Sequence, residues 1–173
     1  MKVGITFSTF DLFHAGHVKM LEEAKSKCEY LIVGLQLDPS IDRPEKNKPT
    51  QSIIERYVQL KACKYIDEVI PYVTESDLID VLSSFKIDIR IIGEEYKEKY
   101  FTGKEYCQKK GIEIYFNKRE HRFSSSALRK QISESESLKT KNYCFVFKLK
   151  FVNNFKIVIK TILKSKTKLQ FLK

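Results

Sequence analysis

Five short apolar runs, spaced by segments of helical period, constrain this chain's fold more than any other feature. Val3–Phe7, Leu31–Leu35, Val69–Ile70, Ile87–Ile92 and Ile112–Phe116 are too short for buried helices and read as strands. Their nearly unbroken apolar character predicts strands covered on both faces, the habit of parallel sheets. Between them, Val18–Cys28, Ile53–Cys63, Leu78–Phe85 and Lys104–Lys110 read as helices. Strands alternating with helices predict an α/β fold, a parallel five-stranded sheet doubly wound by right-handed crossovers. Gly111 suits the left-handed position that ends the fourth helix. Asp38–Pro49 holds three prolines and mixed charge, so it reads as a mobile loop.

Open sheets of this kind bind ligands beyond the carboxyl ends of their strands. After the first strand that place is taken by Thr9-Phe10-Asp11-Leu12-Phe13-His14-Ala15-Gly16-His17, which runs into Val18, Leu21, Ala24 and Cys28 at helical spacing. A helix start offers unpaired N–H groups and the positive end of its dipole to an anion. His14 and His17 are three apart on the first turn, so both imidazoles project toward that anion. Gly16 has no side chain to obstruct its approach. Two donors and a helix start around one phosphate suit phosphoryl or nucleotidyl transfer. A metal site would want a third ligand, but His121 lies far along the chain and no H-E-x-x-H pattern exists, so no protein-bound metal is expected. Asp11 suits fixing the turn before His14 as well as touching ligand.

Ser124-Ser125-Ser126, just before Ala127, Leu128 and Ile132, places hydroxyls at another helix start, where any of the three can cap it. With Arg119, Arg122 and Arg129 close in sequence, the same segment suits a second phosphate. Lys46 and Lys48 can neutralise phosphates as point charges or stay solvated.

The net charge of +10 belongs to one end of the chain. Residues 138–173 hold ten lysines and no acidic residue, leaving 22 basic against 22 acidic groups in residues 1–137. Nucleic-acid binding through the body is therefore not expected. The body and tail divide into residues 1–132 and 133–173, with Ser133-Glu134-Ser135-Glu136-Ser137 as a polar linker. The tail admits two readings: a hairpin turned at Asn153-Asn154, or a basic amphipathic helix with Lys156, Lys160, Lys164 and Lys168 along one face. No run of eighteen apolar residues is present, no secretion signal is expected from the first residues, and the four cysteines are far apart. Reduced thiols and a cytoplasmic location are the expectation.

The segments Thr9-Phe10-Asp11 and His14-Ala15-Gly16-His17 resemble the signature of the cytidylyltransferase-like nucleotidyltransferases, the H-x-G-H superfamily. Within it, Lys64-Tyr65-Ile66-Asp67-Glu68-Val69-Ile70-Pro71 and Arg119…Ser124-Ser125-Ser126 resemble the glycerol-3-phosphate cytidylyltransferases most, over roughly residues 1 to 132. Ser8 departs from that pattern, which usually has glycine there. The resemblance implies a Rossmann-like fold and transfer of CMP from CTP to glycerol 3-phosphate or a similar small polyol or sugar phosphate. It further implies Mg²⁺ with the nucleotide, and a homodimer. It assigns catalysis to His14 and His17, and nucleotide contacts to Thr9, Phe10, Asp11, Gly16, Lys48, Glu94, Arg119, Ser124, Ser125 and Ser126. Lys46 and Arg56 are assigned to the acceptor, although the two lysines are carried over as a pair rather than one by one. Two alternatives stand beside this: an adenylyltransferase using ATP on a sugar phosphate, because the first motif does not choose the base, and a non-catalytic binding module whose basic tail meets a membrane surface or nucleic acid.

Overall fold

Strand β1 (Val3–Ser8) lies at the centre of a five-stranded parallel sheet, with β2 (Tyr30–Gln36) and β3 (Glu68–Tyr72) on one side and β4 (Ile89–Gly93) and β5 (Glu113–Asn117) on the other. The order 3-2-1-4-5 reverses at β1, so the loops after β1 and β4 diverge there and open a crevice at the sheet's carboxyl edge. The computed structural model describes residues 1–118 and 123–137. Arg119, His121, Arg122, Cys144 and the whole tail from residue 138 lie outside them.

Helices α1 (Ala15–Lys25) and α2 (Ile53–Lys61) cover one face, where Leu21, Ala24 and Leu60 pack on Leu31, Val33, Leu35, Ile89 and Ile91. On the opposite face α3 (Glu75–Ser84) and α4 (Lys104–Lys110) bring Leu78, Leu82 and Cys107 to Ile5, Ile32 and Tyr72. Each such leucine or isoleucine stabilises the fold by about 1.5–3 kcal/mol over its exposed state, and burial on two faces explains why the strands are so uniformly apolar. The expected α/β doubly wound sheet is therefore what the chain forms.

Helices α1 and α3 start earlier than the apolar pattern alone places them, because their caps and first turns are largely polar, while α2 and α4 start where that pattern does. Ser52 and Glu55 close a capping box on α2, and Thr74 and Asp77 close one on α3. At the other end of α1, the helix stops at Lys25 and Cys28 folds beneath β1. A Cβ on Gly4 would lie 2.6 Å from the Cys28 sulfur, so the close approach needs glycine. Gly111 ends α4 with φ +69°, as its position predicts.

Two compact units divide between residues 125 and 126. In the second, the described residues 126–137 are helical, including the Ser133–Ser137 run that reads in sequence as a linker. There Lys130 pairs with Glu134 one turn on at 3.8 Å, and the Ser135 and Ser137 hydroxyls donate to the carbonyls of Ile132 and Glu134. Local bonding of this kind is open to alternating serine and glutamate in a helix. No helix among the described residues is long and apolar enough to cross a membrane.

Candidate active site

The loop from β1 to α1 is held in a conformation that side chains ordinarily avoid. Phe10 and Leu12 have φ of +50° and +51°, the left-handed region that costs a non-glycine residue about 1–2 kcal/mol. Bonds from three directions offset this. The Asp11 carboxylate accepts the main-chain N–H groups of Thr50 and Gln51, both at 2.9 Å. The Leu12 N–H donates to the Gln51 side-chain oxygen at 2.8 Å, and the Ser125 hydroxyl donates to the Asp11 carbonyl at 3.0 Å. Arg56 donates to the Thr9 carbonyl at 2.8 Å.

That loop delivers His14 as the N-cap of α1 and His17 three residues on. His14 Nδ1 accepts the Gly16 N–H at 3.0 Å, and His17 Nδ1 accepts the His14 N–H at 3.4 Å, a capping box built from two imidazoles. With both Nδ1 atoms accepting, each neutral ring carries its proton on Nε2. The rings stack with centroids 3.9 Å apart and planes 18° from parallel, and Phe13 stacks on the far side of His17 at 5.6 Å. His14 Nε2 donates to the Ser125 hydroxyl at 3.2 Å, which donates onward to Asp11. Two imidazole donors are thus fixed side by side at a helix start, as an oxyanion or phosphate requires.

Of the residues singled out in the sequence, the structure gathers Thr9, Asp11, His14, Gly16, His17 and Ser125 around this loop. The Phe10 ring is 1% exposed and packs in the core against His17. Asp11 is 5% exposed and spends both carboxylate oxygens on the main chain, so it organises the loop. Arg56 is 2% exposed, and its four described bonds end on main-chain carbonyls rather than in open space. Glu94 follows β4 on the other side of the crevice and is exposed. Ser124 is half-buried within the first unit; Ser126 opens the second. Arg119 lies outside the described residues.

Lys46 and Lys48 are exposed on a segment without regular structure, yet its first half is well tied. Arg43 pairs with Glu75 at 2.8 Å and donates to the Gln36 side chain at 2.7 Å, and the Glu75 N–H donates to Asp42 at 2.6 Å. Asp38 accepts from the Ser40 hydroxyl and N–H, which hold its carboxyl below the usual range, with Lys48 and Arg56 adding to the effect. The loop predicted as mobile is therefore anchored up to Arg43, and the two lysines follow the anchor.

Gln36, Thr50 and Gln51 are site-organising residues that sequence reasoning passes over. The signal that reaches them is the Ser52-x-x-Glu55 box, which places the start of α2 and so puts Thr50 and Gln51 in the preceding turn. No group of three or more histidine, cysteine, aspartate or glutamate side chains among the described residues is arranged to hold a metal ion.

A doubly wound sheet with paired imidazole donors at its first helix start defines a nucleotide-handling protein of the H-x-G-H kind. The chain belongs to the cytidylyltransferase-like family, whose model matches residues 5–131. It is 40% identical over 108 residues to a glycerol-3-phosphate cytidylyltransferase of Bacillus spizizenii, covering 62% of this chain and 83% of that one. It is 31% identical over 137 residues to the enzyme of that name from Bacillus subtilis, covering 77% and 98%. Among solved structures, the lipopolysaccharide core biosynthesis protein of Thermoplasma volcanium shares the fold, with a TM-score of 0.56 at 23% identity over 71% of this chain and 99% of that one.

Proposed function

We propose that this chain transfers CMP from CTP to glycerol 3-phosphate, or to a closely similar polyol or sugar phosphate, and releases pyrophosphate. The observation that carries the reading is the pair of stacked imidazoles whose Nε2 donors sit at one helix start. An oxygen of the acceptor phosphate attacks the α phosphorus in line, the bond to the bridging oxygen breaks, and pyrophosphate leaves. No covalent intermediate on the protein is needed, so catalysis is positioning and charge stabilisation. His14 and His17 donate to the α phosphate as negative charge grows on it. Ser124 and Ser125 take the terminal phosphates, while Lys46 and Lys48 neutralise charge.

Mg²⁺ suits this donor set as a companion of the triphosphate. Asp11 and Asp38 are committed to the protein's own hydrogen bonds, and Mg²⁺ is content with phosphate oxygens and water. When bound it screens charge on the phosphates.

A homodimer is part of this reading. Ile54 and Val58, one turn apart on α2, are 71% and 60% exposed, and a depression of about 620 Å³ lined by Phe13, Val18, Cys63 and Tyr65 adds further apolar surface.

The test is pyrophosphate release across CTP, ATP, GTP and UTP against a panel of small phosphate esters. CTP with glycerol 3-phosphate is expected to be fastest. Preference for ATP with a sugar phosphate would make the chain an adenylyltransferase, and no release with any pair would make it a binding module.

A further inference from the structure

We propose that Arg56 is a positioning residue of this reaction: it holds the histidine loop and the root of the lysine loop in register and takes no substrate contact of its own. The proposal rests on the transferase reading above and departs from the acceptor contact that sequence resemblance implies for this residue.

Arg56 sits in the first turn of α2, 2% exposed. Its guanidinium makes four main-chain bonds: Nε to Gln51 O at 3.1 Å, Nη1 to Thr9 O at 2.8 Å and Gln36 O at 2.7 Å, and Nη2 to Leu37 O at 2.6 Å. A guanidinium has five N–H donors, so four are spent. The carbonyls come from three separate places: the exit of β1, the exit of β2 and the turn before α2. No other described side chain joins all three.

Each segment leads to groups that the reaction uses. Thr9 precedes the two left-handed residues, Phe10 and Leu12, whose conformation sets where His14 caps α1. Leu37 opens the loop that carries Lys46 and Lys48. Gln51 closes the circuit, because its carbonyl accepts from Arg56 while its side chain accepts the Leu12 N–H. The planar fork matters: lysine offers one point charge and cannot span carbonyls on three segments. At 2% exposure the one N–H left over has little access to an acceptor phosphate, and turning the fork outward would leave main-chain carbonyls without partners, at a cost that opposes such a turn.

The arrangement also explains why a charged group is tolerated there. Burial pulls the guanidinium's pKa down from its usual value, while Asp11 and Asp38 nearby favour the charged form. What meets its N–H groups is main-chain oxygen.

The test compares the wild type with Arg56→Lys, Arg56→Ala and Gln51→Ala. In steady-state pyrophosphate release with CTP and glycerol 3-phosphate, Arg56→Ala should lose roughly 10²-fold in kcat, the scale for a reacting group displaced by about 1 Å. The KM for glycerol 3-phosphate should hardly move, since lost positioning lowers kcat and kcat/KM together. Added guanidinium at non-denaturing concentration should restore part of the turnover. A raised acceptor KM at unchanged kcat would make Arg56 a ligand and overturn the proposal. If the Arg56 variants do not fold, Gln51→Ala decides instead, and a folded Gln51→Ala with wild-type kcat would overturn it. A readout independent of turnover is the imidazole NMR signals of His14 and His17 in the ligand-free protein. These should shift in Arg56→Lys, and unshifted signals would equally overturn it. A wild type that releases no pyrophosphate with any substrate pair would instead sink the transferase reading, leaving the NMR arm to judge Arg56.

Discussion

The rings of His14 and His17 lie 3.9 Å apart and nearly parallel, each with its Nδ1 capped by a main-chain N–H. This geometry turns two ordinary helix-start residues into a matched pair of Nε2 donors. Two protonated rings at that spacing would repel by about 4 kcal/mol at an effective dielectric of 20, before salt screening. Such repulsion opposes charging both rings at once.

Replacing either histidine by alanine should lower turnover by roughly 10²–10³-fold, the scale for a lost transition-state donor. His14→Ala removes the N-cap as well, so it should also lower the melting temperature more than His17→Ala does. Stopped-flow or steady-state pyrophosphate release checks the first part and calorimetry the second. Wild-type turnover in either variant would remove that ring from the reaction.

Ser125 receives the His14 proton donor and passes its own to the Asp11 carbonyl. Ser125→Ala breaks both bonds, yet each is neutral and worth about 0.5–1.5 kcal/mol. The expected loss in kcat is thus much smaller than for His14→Ala. An equal loss in the two variants would mean that the serine, not the imidazole, carries the contact to phosphate.

Much of this site was legible in the amino-acid order, and the physical reason is locality. The His14–His17 spacing, the helix behind it and the strand before it are all set by neighbours in sequence, so period and capping rules reach them. Gly111 was readable for the same reason. The burial of Phe10 and Arg56 was not legible: both sit beside the site in sequence or helix position, but their side chains turn inward, and for Arg56 only the long-range bonds to Thr9, Gln36 and Leu37 reveal it. The Asp11–Gln51 link spans forty residues and leaves no periodic trace. The helical conformation of the Ser133–Ser137 run was not legible, because its composition is polar throughout and its hydroxyls and charges pair locally within the helix.

Acid should weaken the fold in part through Asp67. Its carboxylate loses hydration on burial but accepts the Leu31 N–H at 2.6 Å and pairs with Lys25 at 2.5 Å, and the net effect holds its pKa below the ordinary value of 3.8. A folded-state pKa below the unfolded one contributes stability that is full above about pH 4 and is lost as pH falls through the folded value. Asp67→Asn should therefore lower stability at neutral pH and flatten the acid limb of a melting-temperature profile. An unchanged slope below pH 4 would place the acid sensitivity elsewhere.

The excess charge after residue 137 predicts a separable behaviour. Ten lysines with no acid should bind anionic vesicles by charge and release them as salt is raised, since each lysine near such a surface contributes about 1 kcal/mol. Deleting residues 138–173 should abolish that binding and leave pyrophosphate release nearly unchanged. Joint loss of activity and melting temperature would show the segment to be part of the folded body.

The exposed face of α2 gives the last expectation. Ile54 and Val58 lie on the same side of the helix, one turn apart and 71% and 60% exposed, and the Phe13–Tyr65 depression adds apolar surface. In the proposed homodimer a second copy would cover such a face symmetrically, each α2 meeting its own equivalent. Ile54→Lys with Val58→Lys would set like charges against each other across that contact. Light scattering of the wild type should give twice the chain mass and that of the double variant the chain mass, with circular dichroism unchanged. Ser52, Glu55 and Arg56 face other partners on the same helix, so the two substitutions leave the cap and the site's framework in place. A wild type that is monomeric at micromolar concentration would end the dimer reading and leave the α2 face to another occupant.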